Sequence, residues 1–189
     1  MEKDADRELM EWIHSSCGRE IAEATGGNRS RSALLAALTA NESGGRRHRY
    51  RFAPGIHERL RELCRAAGEM DGLTSEQLLE RLGRAGSEEA KAALLKMLAG
   101  LHGYTQMPGY LSVRWGVPVE EFLDPGRHFQ YAARRLEDLC SRLGWDAEGN
   151  AEGLGRLWTG ETGNARSGIY GWRLRKRMRL YAGIEGGGG

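Results

Sequence analysis

The chain has 189 residues, 40% of them apolar and 29% charged, with a formal net charge of +2. This length fits one domain, the apolar fraction suffices for a buried core, and the small net charge gives none of the basic excess that nucleic acid demands. No run approaches the roughly 20 apolar residues that span a bilayer, and the acidic, polar start MEKDADRELM does not read as a secretory signal. Cys17, Cys64 and Cys140 are odd in number, far apart and without a CxxC pair. That pattern argues against a disulfide framework or structural zinc, and for thiols packed between helices.

The periodicity of apolar residues predicts helices nearly throughout. A first helix over about 5–24 carries Leu9, Trp12, Ile13 and Ile21. Thr25-Gly26-Gly27-Asn28 breaks it, and Ser30 or Ser32 can cap a second helix, SALLAALTANE, which Gly44-Gly45 ends. A basic loop from Arg46 to Arg51 follows and leaves room for one short β-hairpin near 46–53. A third helix over about 56–67 places Ile56, Leu60, Leu63 and Ala67 on one stripe. Thr74 with Gln77 has the capping-box pattern for a helix with Leu78, Leu79 and Leu82, and Ser87 can cap the next, with Leu94, Leu95 and Leu98. Asp124-Pro125 opens the longest helix, in which Phe129, Ala132, Leu136, Leu139 and Leu143 repeat at 3-4 spacing up to Gly144. This helix is expected at the centre of the packing. A last helix is expected over about 167–181, and 183–189 reads as a flexible, glycine-rich tail. Sustained strand patterns are absent, so the expected fold is all-α, one domain over 1–182 without internal repeats.

Glu42 stands out on the second helix. Leu35, Leu38 and Glu42 lie at i, i+3 and i+7, and seven steps of about 100° return to within about 20° of the start. The carboxylate is therefore expected on the apolar stripe at the last helical turn. Poor solvation and the negative helix end both favour the protonated acid. A carboxyl group that stays protonated is what a glycosidase uses as general acid. A Glu in this position can equally reach solvent or pair with an arginine of the 46–51 loop.

Ala40-Asn41-Glu42-Ser43-Gly44-Gly45 resembles the E-S-G-G signature of the lysozyme-like soluble lytic transglycosylases and related phage muramidases. Gly103-Tyr104-Thr105-Gln106-Met107 is similar to that family's next motif, and Trp158-Thr159-Gly160 follows in the order of its third, with Thr159 where the family usually has Asn. Leu123-Asp124-Pro125 also resembles the approach to the third motif. The similarities run from about 33 to 181. They imply a lysozyme-like fold with a helical insert at about 56–100, and a monomer that cleaves the β-1,4 bond between N-acetylmuramic acid and N-acetylglucosamine in peptidoglycan glycan strands. They further imply Glu42 as the sole catalytic acid/base, with Ser43, Tyr104, Gln106, Tyr110, Trp158, Thr159 and Gly160 contacting the sugars. The related phage enzymes often carry a carboxylate soon after the catalytic Glu. Here Phe52-Ala53-Pro54-Gly55-Ile56-His57 has none.

Hydrolysis needs a second carboxylate. Glu58, Asp71, Asp124 and Glu161 are available, but each reads better as a helix-surface or capping residue. A single Glu can instead use the substrate's acetamido group as internal nucleophile and yield a 1,6-anhydro product, the lytic transglycosylase reaction. A hydrolytic muramidase is the close alternative. No cofactor is implied: His57-Glu58 fails as a zinc-protease motif because position 61 is Arg, and no phosphate-binding glycine loop occurs. The place of action implied is the periplasm or cell wall, reached by an unknown route.

The last helix carries Arg173, Arg175, Lys176, Arg177 and Arg179. It reads as a solvated face, or as a patch for an anionic wall polymer or membrane surface. The more distant alternative is a non-catalytic helical module that binds nucleic acid through this face. The small net charge and the lack of a recognition motif argue against it.

Overall fold

A computed structural model of the chain describes residues 4–146, 149–159 and 166–186, the side chains of 166 and 167 excepted. The fold is mainly helical, as the periodicity predicts. Helix α1 (Ala5–Ala24) is capped by Asp4, which accepts from the Asp6 N–H, and it buries Met10, Ile13, Cys17 and Ile21 along one face. Trp12 lies off this face, about half exposed, and its ring covers Gly45 so closely that a Cβ there would come within 2.1 Å of it.

Helix α2 (Arg29–Glu42) starts earlier than expected. Its cap is Asn28, which accepts from the Arg31 N–H at 3.0 Å. Ser30 and Ser32, the expected caps, lie inside the helix, and the Ser32 hydroxyl is shared with Thr25 at 2.7 Å. Every residue from Ser32 to Ala40 is buried. An Ala- and Leu-rich helix presents small apolar groups all round, so α1, α7 (Pro125–Leu143) and α9 (Arg166–Gly186) can close on it from several sides. The central helix is therefore α2. Helix α7, expected there, is amphipathic: it buries Phe129, Ala132, Leu136 and Leu139 and leaves Leu143 exposed beside its charged face. Asp124 caps it through the Arg127 N–H, as its sequence predicts.

The second half holds α3 (Pro54–Arg65), α4 (Ser75–Gly83), α5 (Glu88–Leu98) and α6 (Tyr110–Trp115). The capping box of Thr74 with Gln77 forms, and Ser87 caps α5. Ala67 falls beyond the end of α3 and is exposed. The expected local hairpin near 46–53 does not form. Instead β1 (Tyr50–Phe52) pairs with β4 (Gly100–His102), far along the chain, and β4 pairs with β5 (Met107–Pro108). Gly100 allows this, because a Cβ there would sit 2.3 Å from the Tyr50 ring. A second, two-stranded sheet joins β2 (Glu69–Met70) to β3 (Leu73–Thr74). Its turn is Asp71-Gly72, both with positive φ (49° and 81°), as a tight two-residue hairpin turn requires.

A 3-10 turn (Val119–Leu123) leads into α7, and α8 (Ala151–Thr159) packs on α9. Helix α9 continues to Gly186, into the stretch read as a tail. Its cations are largely tied into the fold. Lys176 pairs with Asp4 and Asp6, Arg177 with Asp6, and Arg175 with Glu152. The acidic start of α1 and the first turn of α8 thus neutralise three of the five charges read as a solvated face or an anion-binding patch. None of the described helices is long and apolar enough to cross a membrane.

Candidate active site

Glu42 ends α2 at the edge of a cleft of about 460 Å³ between the two halves of the fold. Helices α2, α7 and α8 contribute Glu42, Arg135, Leu157, Trp158 and Thr159 to its lining. The rest of the lining comes from β1, the start of α3, the β2–β3 turn, the segment after β4 and the start of α6. It brings Arg51, Phe52, Arg59, Asp71, Gln106 and Tyr110.

Glu42 is half-buried, and its Oε1 accepts a hydrogen bond from the Tyr170 hydroxyl at 2.6 Å. Tyr170 comes from α9, whose position is fixed at the neighbouring turns. Arg177 donates to Asp6 at 2.8–2.9 Å and to the Asn41 side chain, next to Glu42. The α1–α9 ion pairs therefore hold the hydroxyl that holds the carboxylate.

Gln106 also lines the cleft, with φ +55°. Among the described residues only Gln106 and Asp71 are non-glycine with positive φ, and both line the cleft. Such conformations cost free energy and persist only where the surroundings enforce them. For Gln106 the enforcement is visible. Its Nε2 donates to the Arg49 and Gly103 carbonyls at 3.1 and 3.0 Å. The preceding residue, Thr105, is gripped from three directions. Trp158 Nε1 donates to its carbonyl at 2.8 Å, while its own N–H and hydroxyl lie 3.0 and 2.9 Å from His128 Nε2. A backbone N–H can only donate, so His128 Nε2 is the acceptor and Nδ1 carries the proton, donated to the Phe122 carbonyl at 2.7 Å. Burial pushes the His128 pKa down to about 4. Gly103, at φ +73°, must be glycine here: a Cβ would come within 2.5 Å of the Phe122 oxygen and 2.7 Å of His128. Gln106 Oε1 remains buried without a hydrogen-bond partner.

Asp71 accepts from the Tyr110 hydroxyl at 2.7 Å, and burial raises the Tyr110 pKa, which keeps it a donor. Arg135 lies over the Trp158 ring at 4.4 Å and donates to the Trp158 carbonyl at 3.1 Å. Burial lowers its pKa, and Tyr110, Asp71 and Glu42 act in the opposite direction. The cleft thus combines two carboxylates with the guanidinium groups of Arg51, Arg59 and Arg135.

The expected site residues divide. Glu42, Gln106, Tyr110, Trp158 and Thr159 meet at the cleft. Ser43 does not reach it: the residue is fully buried and its hydroxyl donates to the Thr39 carbonyl at 3.0 Å, satisfying the helix end. Tyr104 belongs to the core, stacked on Phe129 and edge-on to His128. Gly160 lies outside the described residues. Asp71, set aside as a surface residue, enters the cleft. The signal for it was present, since Asp-Gly between two short apolar-bearing runs marks a tight hairpin. Comparison with protein-family models, curated proteins and solved structures finds no match.

Proposed function

We propose that the chain is a peptidoglycan glycosidase that cleaves the β-1,4 link after N-acetylmuramic acid as a lytic transglycosylase, with Glu42 as acid and base. The observation that supports this most is the placement of Glu42, a half-buried carboxyl group at a helix end, in a cleft that the enforced Gln106 also lines. Glu42 donates its proton to the glycosidic oxygen as the C1–O bond breaks. The acetamido carbonyl oxygen of the same sugar attacks C1 from the other face and closes a five-membered ring. The Glu42 carboxylate then takes the proton of the 6-hydroxyl, whose oxygen displaces the acetamido oxygen at C1. The product is a 1,6-anhydro sugar, Glu42 is protonated again, and no water is consumed. Gln106, Tyr110 and Trp158, largely buried in the cleft lining, shape the surface on which the sugars lie.

Tyr170 acts through Glu42. Its hydroxyl fixes the rotamer from which the proton is delivered. Tyr170→Phe is expected to lower the rate of peptidoglycan solubilisation about tenfold, the worth of a hydrogen bond to a charged group, with an unchanged circular dichroism spectrum.

One observation favours a second reading. Asp71 supplies the second carboxylate that hydrolysis needs. The two readings separate with Asp71→Asn. For a transglycosylase, the variant keeps anhydro products and a rate within about threefold of the parent. For a hydrolase, the parent makes reducing ends, and the variant loses about two orders of magnitude in rate.

A further inference from the structure

Beside the cleft lies a smaller cavity of about 230 Å³. The two share Asp71, Tyr110, Arg135 and Leu157, so the cavity branches from the cleft. Its far wall is one face of α7, where Arg135, Asp138, Leu139 and Arg142 recur at helical spacing. Arg114 of α6 stands opposite and pairs with Asp138 at 3.0 Å. Asp71 is engaged by the Tyr110 hydroxyl. Asp71 keeps its charge, because the tyrosine is neutral, so three arginines against two carboxylates leave one positive charge in excess, with Arg135 shared with the cleft and Arg142 at the exposed rim. Arg135 Nη1 is buried with no hydrogen-bond partner. A buried, unsatisfied guanidinium N–H is costly unless something completes it, and a carboxylate is the group that matches its geometry. The remaining wall is aliphatic, including Leu111 and Leu143, the latter 41% exposed.

A cavity that combines four leucines with the guanidinium groups of Arg135 and Arg142 suits a small peptide with carboxylates and short apolar side chains. The glycan proposed for the cleft carries such a branch on each muramic acid. We propose that this side cavity is the subsite for that peptide branch, with Arg135 and Arg142 holding its carboxylates. The assignment rests on the glycosidase reading above and adds to it a preference for peptide-bearing strands.

The test compares the wild type with Arg142→Glu on two substrates: intact sacculi, and sacculi stripped of peptides by an amidase. Arg142 is exposed and lies outside the glycan cleft. The wild type is expected to cleave intact sacculi with a kcat/KM about tenfold above that for stripped ones, as one or two charge-assisted contacts would give. The variant should lose this preference while keeping the wild-type rate on stripped sacculi. Equal wild-type rates on both substrates, or a loss in the variant that is the same on both, would overturn the subsite. Cleavage of neither substrate by the wild type would overturn the glycosidase reading and the subsite with it.

Discussion

Glu42→Gln is expected to reduce the initial rate of peptidoglycan cleavage by about three orders of magnitude, because in the proposed mechanism one side chain serves both proton transfers. The substitution keeps the shape of the residue and an oxygen that can accept from Tyr170, so the ion pairs of α9 with α1 stay in place. Urea unfolding should therefore shift by less than about 1 kcal/mol. That split, rate lost with stability kept, separates a chemical role from a structural one. A variant that loses activity and stability together would instead make Glu42 a packing residue. The contrast with Tyr170→Phe adds a scale: removing the group that holds the acid costs far less than removing the acid.

The second large effect is on stability. His128 is fully buried as the neutral imidazole, with a pKa held near 4 by burial, against an ordinary value of 6.5. Above pH 6.5 the folded and unfolded chains are both neutral at this ring, and its contribution to stability is complete. Between 6.5 and about 4 the unfolded chain binds a proton that the folded chain refuses, so stability falls as pH falls. The full difference corresponds to about 3 kcal/mol. His102, also buried and lowered, acts in the same direction. Protonation is opposed by more than burial: a second N–H at Nε2 would face the Thr105 N–H, donor against donor. Unfolding free energies from urea titrations at about pH 7 and about pH 4.5 should differ by much of this amount, with a lower midpoint in acid. Equal midpoints would contradict the buried neutral ring. Because His128 holds Thr105, and Thr105 precedes Gln106, acid is also expected to loosen the cleft before the helices melt.

Local signals were the legible part of the fold. Ser87, Asp124 and the Thr74–Gln77 pair sit where short-range hydrogen bonding puts them, and such bonds depend on a few neighbouring residues. Helix α2 shows where this breaks down. Asn28, Ser30 and Ser32 are all competent caps within five positions, and packing against Thr25 decides among them. The apolar stripe that singled out Glu42 is not specific either, since α2 is buried on all sides. What distinguishes Glu42 is that the helix emerges at a cleft there, which only the tertiary arrangement determines. The pairing of β1 with β4 was hidden for the same reason: three-residue strands carry no period, and their partner is remote in the chain. The ion pairs of the basic helix were hidden in a different way. A run of cations shows charge, and not the Asp4, Asp6 and Glu152 that meet it from distant segments. Asp71 was readable from its turn, though its entry into the cleft depended on Tyr110 arriving from α6.

The central claim is that this cleft breaks glycan strands without water, and the mass spectrum of the soluble fraction from isolated sacculi incubated with the wild-type protein tests it most directly. The account predicts muropeptides with 1,6-anhydro ends, each lighter by one water than its hydrolysed counterpart. Reducing-end muropeptides would contradict the transglycosylase step and transfer the second catalytic role to Asp71, while a soluble fraction free of muropeptides would contradict the assignment of Glu42 as a glycosidic acid.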